Sequence, residues 1–323
     1  MKLSLLPTKI FFSSSKNKGS PFSPNEIIFA STTACNLHCK HCFIDRRAHH
    51  LEVSDAVNFL QTCPPTIEKI GFSGGEPFLR SDFLEEIIKS SIEYDFMFDR
   101  IMTNGDWWKT EQDLRATLRK IYDAGYDGKI GVSYDTFHAQ SEERIVTFIQ
   151  TAWKIFGGDS VEIQSVLPIG EKLRSLAKRL NLTYEENLSK SGLGIATLTR
   201  DEIFLPAYIQ TESYQANDSR AFKDKTWFKD DFCESMGQIL FVHATGDIAP
   251  CCGFANENKA LFIGKLTDTF DTVLQKSREN NMVSLCFERG LSSEIKRLQK
   301  EGKLPAGKTS DICTFCDFVC NCL

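Results

Sequence analysis

From residue 27 to about 200 the chain alternates short apolar runs with segments of helical periodicity, and that alternation leaves few folds open to it. Ile27 to Ala30, Ile67 to Phe72, Phe98 to Met102, Lys129 to Ser133 and Val161 to Leu167 read as strands. Between them, Ser54 to Leu60, with Ser54 as its N-cap, reads as a helix, and so does Ser81 to Tyr94, with Phe83, Leu84, Ile87 and Ile88 at helical spacing. A helix through Leu114, Leu118 and Ile121 follows, then Glu142 to Phe156 and Glu171 to Leu180. Gly194 to Leu198 is the candidate sixth strand. Repeated strand–helix units imply an α/β fold with a parallel sheet and right-handed crossovers. Such folds carry their functional loops at the C-terminal ends of the strands.

The flanking segments are less regular. Residues 1–24 read as a partly mobile leader; the runs Leu3 to Leu6 and Ile10 to Phe12 are too short for a secretory signal. No apolar run approaches the ~20 residues of a membrane span. A net charge of −5 gives no general affinity for nucleic acid or anionic membranes. The expectation is a cytoplasmic protein with neither kind of partner. Residues 181–232 are polar and without sustained periodicity, and 201–232 read as a connecting segment anchored by Trp227 and Phe228. From 233 the character changes. Ile239 to His243 and Asp247 to Pro250 flank Ala244-Thr245-Gly246 as a hairpin, and Asp268 to Lys276 and Ser292 to Lys300 read as helices.

Twelve cysteines without a signal peptide point to metal or cluster ligation more than to disulfides. Cys35, Cys39 and Cys42 form a C-x3-C-x2-C loop directly after the first strand. Three thiolates hold three irons of a cubane cluster and leave the fourth open to a small molecule. Zinc, with His38 or His41 as a fourth ligand, is the alternative. The late group is Cys233, Cys251, Cys252, Cys286, Cys313, Cys316, Cys320 and Cys322. Cys233 and Cys251 flank the hairpin and can point to one end of it; Cys313 and Cys316, on a tight turn, can complete a four-thiolate site, which zinc could equally occupy. Cys63, before Pro64-Pro65, reads as a buried inert thiol, and Cys286, beside Val283 and Leu285, as core packing. Three further motifs fall at strand ends: Gly74-Gly75-Glu76-Pro77, Thr103-Asn104-Gly105, and Ser133-Tyr134-Asp135.

The three-cysteine loop, followed about thirty residues later by Gly74-Gly75-Glu76-Pro77, resembles the signature of radical S-adenosylmethionine (SAM) enzymes. The resemblance implies a partial (β/α)6 barrel over 25–200. It implies a 4Fe–4S cluster on Cys35, Cys39 and Cys42, and SAM chelated to the open iron. The loop at Gly74, Gly75, Glu76 and Pro77 would meet the SAM amino group, with the Glu76 carboxylate helping to hold it. His41 or Phe43 would lie near the adenine, and Asn104, Ser133 and Asp135 near the ribose or methionine portion. The order Cys233, Gly246, Cys251, Cys313, Cys316 resembles the SPASM/Twitch extension. That implies a small cysteine-rich α+β unit over 233–323 with one auxiliary 4Fe–4S cluster, Cys320 being an alternative ligand.

The runs around Gly74, Asn104 and Asp135 are similar to short peptide-modifying members such as the epipeptide epimerases. This implies a ribosomally made peptide substrate, epimerisation first and thioether or carbon–carbon crosslinking second. Cys252 or Cys322 would return a hydrogen atom to the substrate radical. It also implies an electron donor such as flavodoxin or ferredoxin. About 25 residues precede the first strand, which leaves no room there for a separate leader-binding domain, so the core would grip the peptide. A small-molecule dehydrogenase or mutase is the runner-up. A non-catalytic zinc or iron–sulfur structural protein is the alternative of another class.

Overall fold

A computed structural model describes residues 19–45, 47–166, 170–188 and 194–323. The leader expected over 1–24 therefore lies mostly outside the described residues. Five strand–helix units open the fold. They are β1 (Glu26–Ala30) with α1 (Val53–Gln61), β2 (Lys69–Ser73) with α2 (Ser81–Glu93), β3 (Met97–Thr103) with α3 (Glu111–Asp123), β4 (Lys129–Ser133) with α4 (Glu142–Phe156), and β5 (Val161–Val166) with α5 (Gly170–Arg179). The five strands lie side by side in chain order, all parallel. The helical periodicity is the cause of the layering. Phe83, Leu84, Ile87 and Ile88 of α2 and Leu114, Leu118 and Ile121 of α3 are fully buried, against the outer face of a sheet whose Ile27, Phe29, Ile70, Ile101 and Ile130 are equally buried. On the other face the Met102 side chain packs over Gly131 of β4, its sulfur 2.5 Å from where a Cβ would stand.

Ser54 is not the cap of α1. The helix starts at Val53 with Glu52 in the cap position and no side-chain cap bond. α3, in contrast, is capped by Thr110, which accepts from the Asp113 N–H at 3.1 Å.

The sixth parallel strand is not Gly194 to Leu198. That run belongs to β7 (Gly194–Arg200), the middle of an antiparallel meander with β6 (Thr183–Leu188) and β8 (Ile203–Gln210). β8 is the strand that runs parallel to β5. The chain reverses between β7 and β8 over two residues, with Asp201 at φ 53, so the strand expected to close the series instead turns back. β8 alternates cleanly, with Leu205, Ala207 and Ile209 buried. Pro206 within the run disguises it, because proline argues against an interior strand.

The cysteine-rich part is joined to the same sheet. β9 (Ile239–Val242) and β10 (Asp247–Ala249) form the expected hairpin, and β9 pairs parallel with β1, Glu26 opposite Ile239. β11 (Gly264–Lys265) ends that side, giving the order β11-β10-β9-β1-β2-β3-β4-β5-β8-β7-β6. The sheet does not close, and the architecture is a partial β/α barrel with a cysteine-rich C-terminus. Four helices follow: α6 (Phe270–Glu279), α7 (Asn281–Ser284), α8 (Ser292–Lys300) and α9 (Ile312–Cys320). Cys313 and Cys316 sit on α9, not on a turn, and helical spacing puts them and Cys320 on neighbouring positions of one side. The segment after β8 wraps this helix. Thr314 donates to the Tyr214 carbonyl at 2.6 Å, the Ala216 N–H donates to Asp317 at 2.9 Å, and the Trp227 and Phe228 rings each lie 5.3 Å from Phe315. Among the described residues no helix is long and apolar enough to cross a membrane.

Phe315 is fully buried at the centre of this contact. Phe315→Ala is expected to lower stability to denaturant by about 3–5 kcal/mol. Limited proteolysis should then cut within 211–232 first; resistance equal to wild type would contradict the packing role.

Candidate active site

The loop between β1 and α1 carries the first three cysteines and is pinched at its base. Thr33 N–H donates to the His49 carbonyl at 3.1 Å, Leu51 N–H to Ser31 at 3.1 Å, and Thr32 Oγ1 lies 2.8 Å from His50 Nδ1. Cys42 N–H turns back to the Cys39 carbonyl at 3.2 Å. Cys35 and Cys39 are half-buried and Cys42 is exposed. Two N–H groups aim at the Cys35 sulfur: Leu37 N at 3.4 Å and Asn104 Nδ2 at 3.6 Å. Donors of that kind stabilise a thiolate.

The two glycines after β2 allow backbone to lie directly on backbone. Gly74 has φ +130, and a Cβ on it would strike the Thr32 carbonyl oxygen; a Cβ on Gly75 would strike those of Ala34 and Thr33. In their absence Gly75 N–H donates to Thr32 at 2.6 Å and Glu76 N–H to Ala34 at 2.8 Å. Pro77 opens a short 3-10 turn over Pro77–Arg80. Glu76 itself is 0% exposed. Its carboxylate accepts from Thr103 Oγ1 at 2.9 Å, Asn104 N at 2.8 Å and Phe78 N at 3.1 Å. Burial pushes its carboxyl up to about 7 against those three donors. Glu76 thus faces inward and ties the β2 loop to the end of β3.

Asn104, at the end of β3, donates to Asn36 Oδ1 at 2.9 Å and accepts from Asp106 N–H at 2.8 Å. After β4, Asp135 is 1% exposed and accepts from Phe137 N and His138 Nδ1, both at 2.8 Å. Burial would raise its carboxyl, but His138, through its hydrogen bond and charge, and the Phe137 N–H together hold it below the usual range. The His138 ring is 4.8 Å from that of His41, whose imidazole burial keeps in the neutral form to lower pH. His41, Asn104, Ser133 and Asp135 are therefore gathered at the tops of β1, β3 and β4. Sequence reasoning missed three members of this group. His138 stands three residues after Asp135 and could have been found from that spacing. Gln140 donates to the carbonyls of both Asn104 and Ser133 at 2.6 Å, and Lys172 donates to the Asp135 carbonyl from above the Tyr134 ring. These last two act on backbone oxygens, which leave no motif.

The late cysteines gather elsewhere. Cys233 and Cys251 share a hydrogen bond that lowers the Cys233 thiol and raises that of Cys251. Cys286, read from sequence as core, lies 3.5 Å from Cys316 and offers its carbonyl to Cys233 N–H at 2.9 Å. It is buried, but among the thiols. Cys320 touches Cys316, and Gly253 packs against Cys313 so closely that a Cβ would come within 2.8 Å of its sulfur. Cys252 is exposed beside this group. Cys322 is half-buried at the end of α9, near the Arg297 and Lys303 charges, and the structure does not bring it to Cys252. Among the described residues no three side chains converge at single-ion distance. A cubane takes each thiolate on its own iron. The exposed Phe43 ring, next to Cys42, meets Phe254, two residues after Cys252, at 6.0 Å, so the two cysteine regions touch.

A family model described as the Radical SAM superfamily matches residues 29–164. The chain carries a radical SAM domain. The match takes in the three-cysteine loop, the glycine pair, Asn104 and Asp135, and stops before the late cysteines. A radical SAM domain implies SAM and a 4Fe–4S cluster. Relatives include a GTP 3′,8-cyclase of Aliarcobacter butzleri, 26% identical over 265 residues, which are 69% of this chain and 78% of that one. YydG of Bacillus subtilis, named as a peptide biosynthesis protein, is 21% identical over 308 residues, 89% of each chain. An S-adenosylmethionine-dependent nucleotide dehydratase of Fibrobacter is 27% identical over 163 residues, covering 47% of this chain and 44% of its own. Among solved structures, SuiB of Streptococcus suis aligns with 85% of this chain and 68% of its own at 16% identity and a TM-score of 0.41.

Gly75→Ala places a methyl group against backbone oxygens that cannot move aside. It is expected to cost about 1–3 kcal/mol of stability and to abolish SAM binding measured by equilibrium dialysis. SAM affinity at the wild-type level would contradict the close approach.

Proposed function

We propose that this protein is a peptide-modifying radical SAM enzyme, with epimerisation of a residue in a ribosomally made peptide as its first-choice reaction. Cys35, Cys39 and Cys42 hold the SAM-binding cluster in this reading. The donor set fits: three thiols on one loop, with N–H groups aimed at the Cys35 sulfur. When bound, the cluster and SAM supply a 5′-deoxyadenosyl radical able to take a hydrogen atom from substrate. The backbone of Gly74 and Gly75 and the groups around Ser133 and Asp135 orient the cofactor, and His41 or Phe43 borders its adenine.

The observation that carries the reaction type is the state of Cys252. Cys251, Cys286, Cys316 and Cys320 are buried together, whereas Cys252, adjacent in sequence to one of them, is exposed. A thiol so placed gives a hydrogen atom to a carbon radical on the face opposite the one it was lost from. The α-carbon gains C–H, Cys252 loses S–H, and one electron and one proton from an external reductant restore the thiol. Cys233, Cys251, Cys313 and Cys316, with Cys286 or Cys320 as further candidates, hold an auxiliary 4Fe–4S cluster beside it. A flavodoxin or ferredoxin in the cytoplasm, where thiols stay reduced, is the electron source.

The similarity to YydG over 89% of each chain supports a peptide substrate. The GTP 3′,8-cyclase relatives favour a second reading, a small-molecule substrate of nucleotide type.

The test uses short peptides encoded beside the gene, incubated in D2O with SAM and dithionite. Wild type should place one deuterium on the α-carbon of an inverted residue. Cys252→Ala should still form 5′-deoxyadenosine but give no inverted product. Deuterated, inverted product from Cys252→Ala would overturn the assignment, and turnover of GTP without any peptide would favour the second reading.

A further inference from the structure

Asn104 stands where the family resemblance expects a contact to SAM, yet each of its polar atoms already has a partner in the protein. The residue is 7% exposed. Its N–H donates to Glu76 Oε2 at 2.8 Å and its carbonyl accepts from Gln140 Nε2 at 2.6 Å. Its side-chain oxygen accepts from Asp106 N–H at 2.8 Å. A primary amide nitrogen has two hydrogens, and Asn104 Nδ2 has two acceptors: Asn36 Oδ1 at 2.9 Å and the Cys35 sulfur at 3.6 Å. The amide orientation is therefore fixed by its neighbours, since a flipped Asn104 would set its NH2 against the Asp106 N–H.

The surroundings hold this geometry. Asn36 Nδ2 donates to the Asp106 carbonyl at 2.9 Å, linking the cysteine loop to the β3–α3 loop a second time. Arg144 of α4 binds the Asp106 carboxylate and the Trp108 carbonyl, and its guanidinium lies 3.7 Å from the Trp108 ring centroid. The chain of contacts runs from α4 through Asp106 and Asn104 to one sulfur.

We propose that Asn104 is a positioning residue that acts on the cluster through Cys35, its amide N–H setting the reduction potential, and that it makes no contact with SAM. Hydrogen bonds to cluster sulfurs are among the determinants of potential, and they act by orienting and tuning the ligand. A donor draws electron density from the thiolate and raises the potential, which eases reduction of the cluster before SAM is cleaved. The proposal rests on the reading of Cys35, Cys39 and Cys42 as cluster ligands.

Asn104→Asp keeps the shape and replaces the donor with a carboxylate facing the sulfur. Asn104→Ala and Asn104→Ser remove the donor's reach. Each full-length variant is reconstituted anaerobically and titrated with dithionite under EPR, without SAM, following the signal that is absent from a Cys35→Ala control. The expected result is a midpoint shifted to more negative potential in all three, most in Asn104→Asp, with iron content unchanged and SAM affinity within about twofold of wild type by equilibrium dialysis. An unchanged midpoint, or a tenfold loss of SAM affinity, would overturn it. So would loss of the first cluster from all three variants, since the residue would then build the loop without tuning it. A wild-type protein with no SAM-responsive signal would instead refute the cluster reading beneath the proposal.

Discussion

The site depends on backbone packed against backbone. Two glycines after β2 lie so close to the carbonyls of Thr32 and Ala34 that neither position has space for a side chain. That contact brings the end of β2 under the cysteine loop. The buried Glu76 carboxylate then extends the join to β3, because it gathers N–H and O–H donors from Phe78, Thr103 and Asn104 that would otherwise be costly to bury. From Asn104 the connection returns to the cysteine loop at Asn36 and Cys35. The tops of three strands are thereby one hydrogen-bonded body, and the positions of the thiols follow from it.

The second organising contact is the pairing of β9 with β1. The hairpin between Cys233 and Cys251 is a continuation of the barrel sheet, starting from the strand that leads into the first cysteine loop. This gives the C-terminal region a fixed place relative to the barrel, and the Phe43–Phe254 contact adds a direct link between the segments that follow Cys42 and Cys252. α9 is then clasped by the segment after β8, whose aromatic residues pack on Phe315. A region with short strands of its own is made rigid by borrowing the barrel's sheet on one side and the connecting segment on the other.

Much of this was legible in the sequence because the signals were periodic. β4 and α4 begin and end at the expected residues, and β1, β2, β3, β5, α2 and α5 lie within a residue or two of them. The meander after α5 was hidden by polar residues on its exposed positions and by Pro206. The motif residues were found, but not what they do. A sequence places Glu76 and Asn104 at strand ends without showing that Glu76 turns inward or that every polar atom of Asn104 is taken. Cys286 shows the same limit: its apolar neighbours correctly announce burial, while the nearness of Cys316 depends on how α9 packs. Gln140 and Lys172 were illegible because they bind backbone carbonyls, a role open to many side chains.

The most direct test of the account is the product formed from SAM by the Cys35/Cys39/Cys42→Ala variant and by wild type after anaerobic reconstitution, with dithionite as reductant and iron measured on the same samples. Wild type should release 5′-deoxyadenosine; the variant should release none yet keep about four irons on its late cysteines, as a separate cubane requires. Equal release from both proteins would contradict the assignment of the first site, and a variant stripped of all iron would contradict the second.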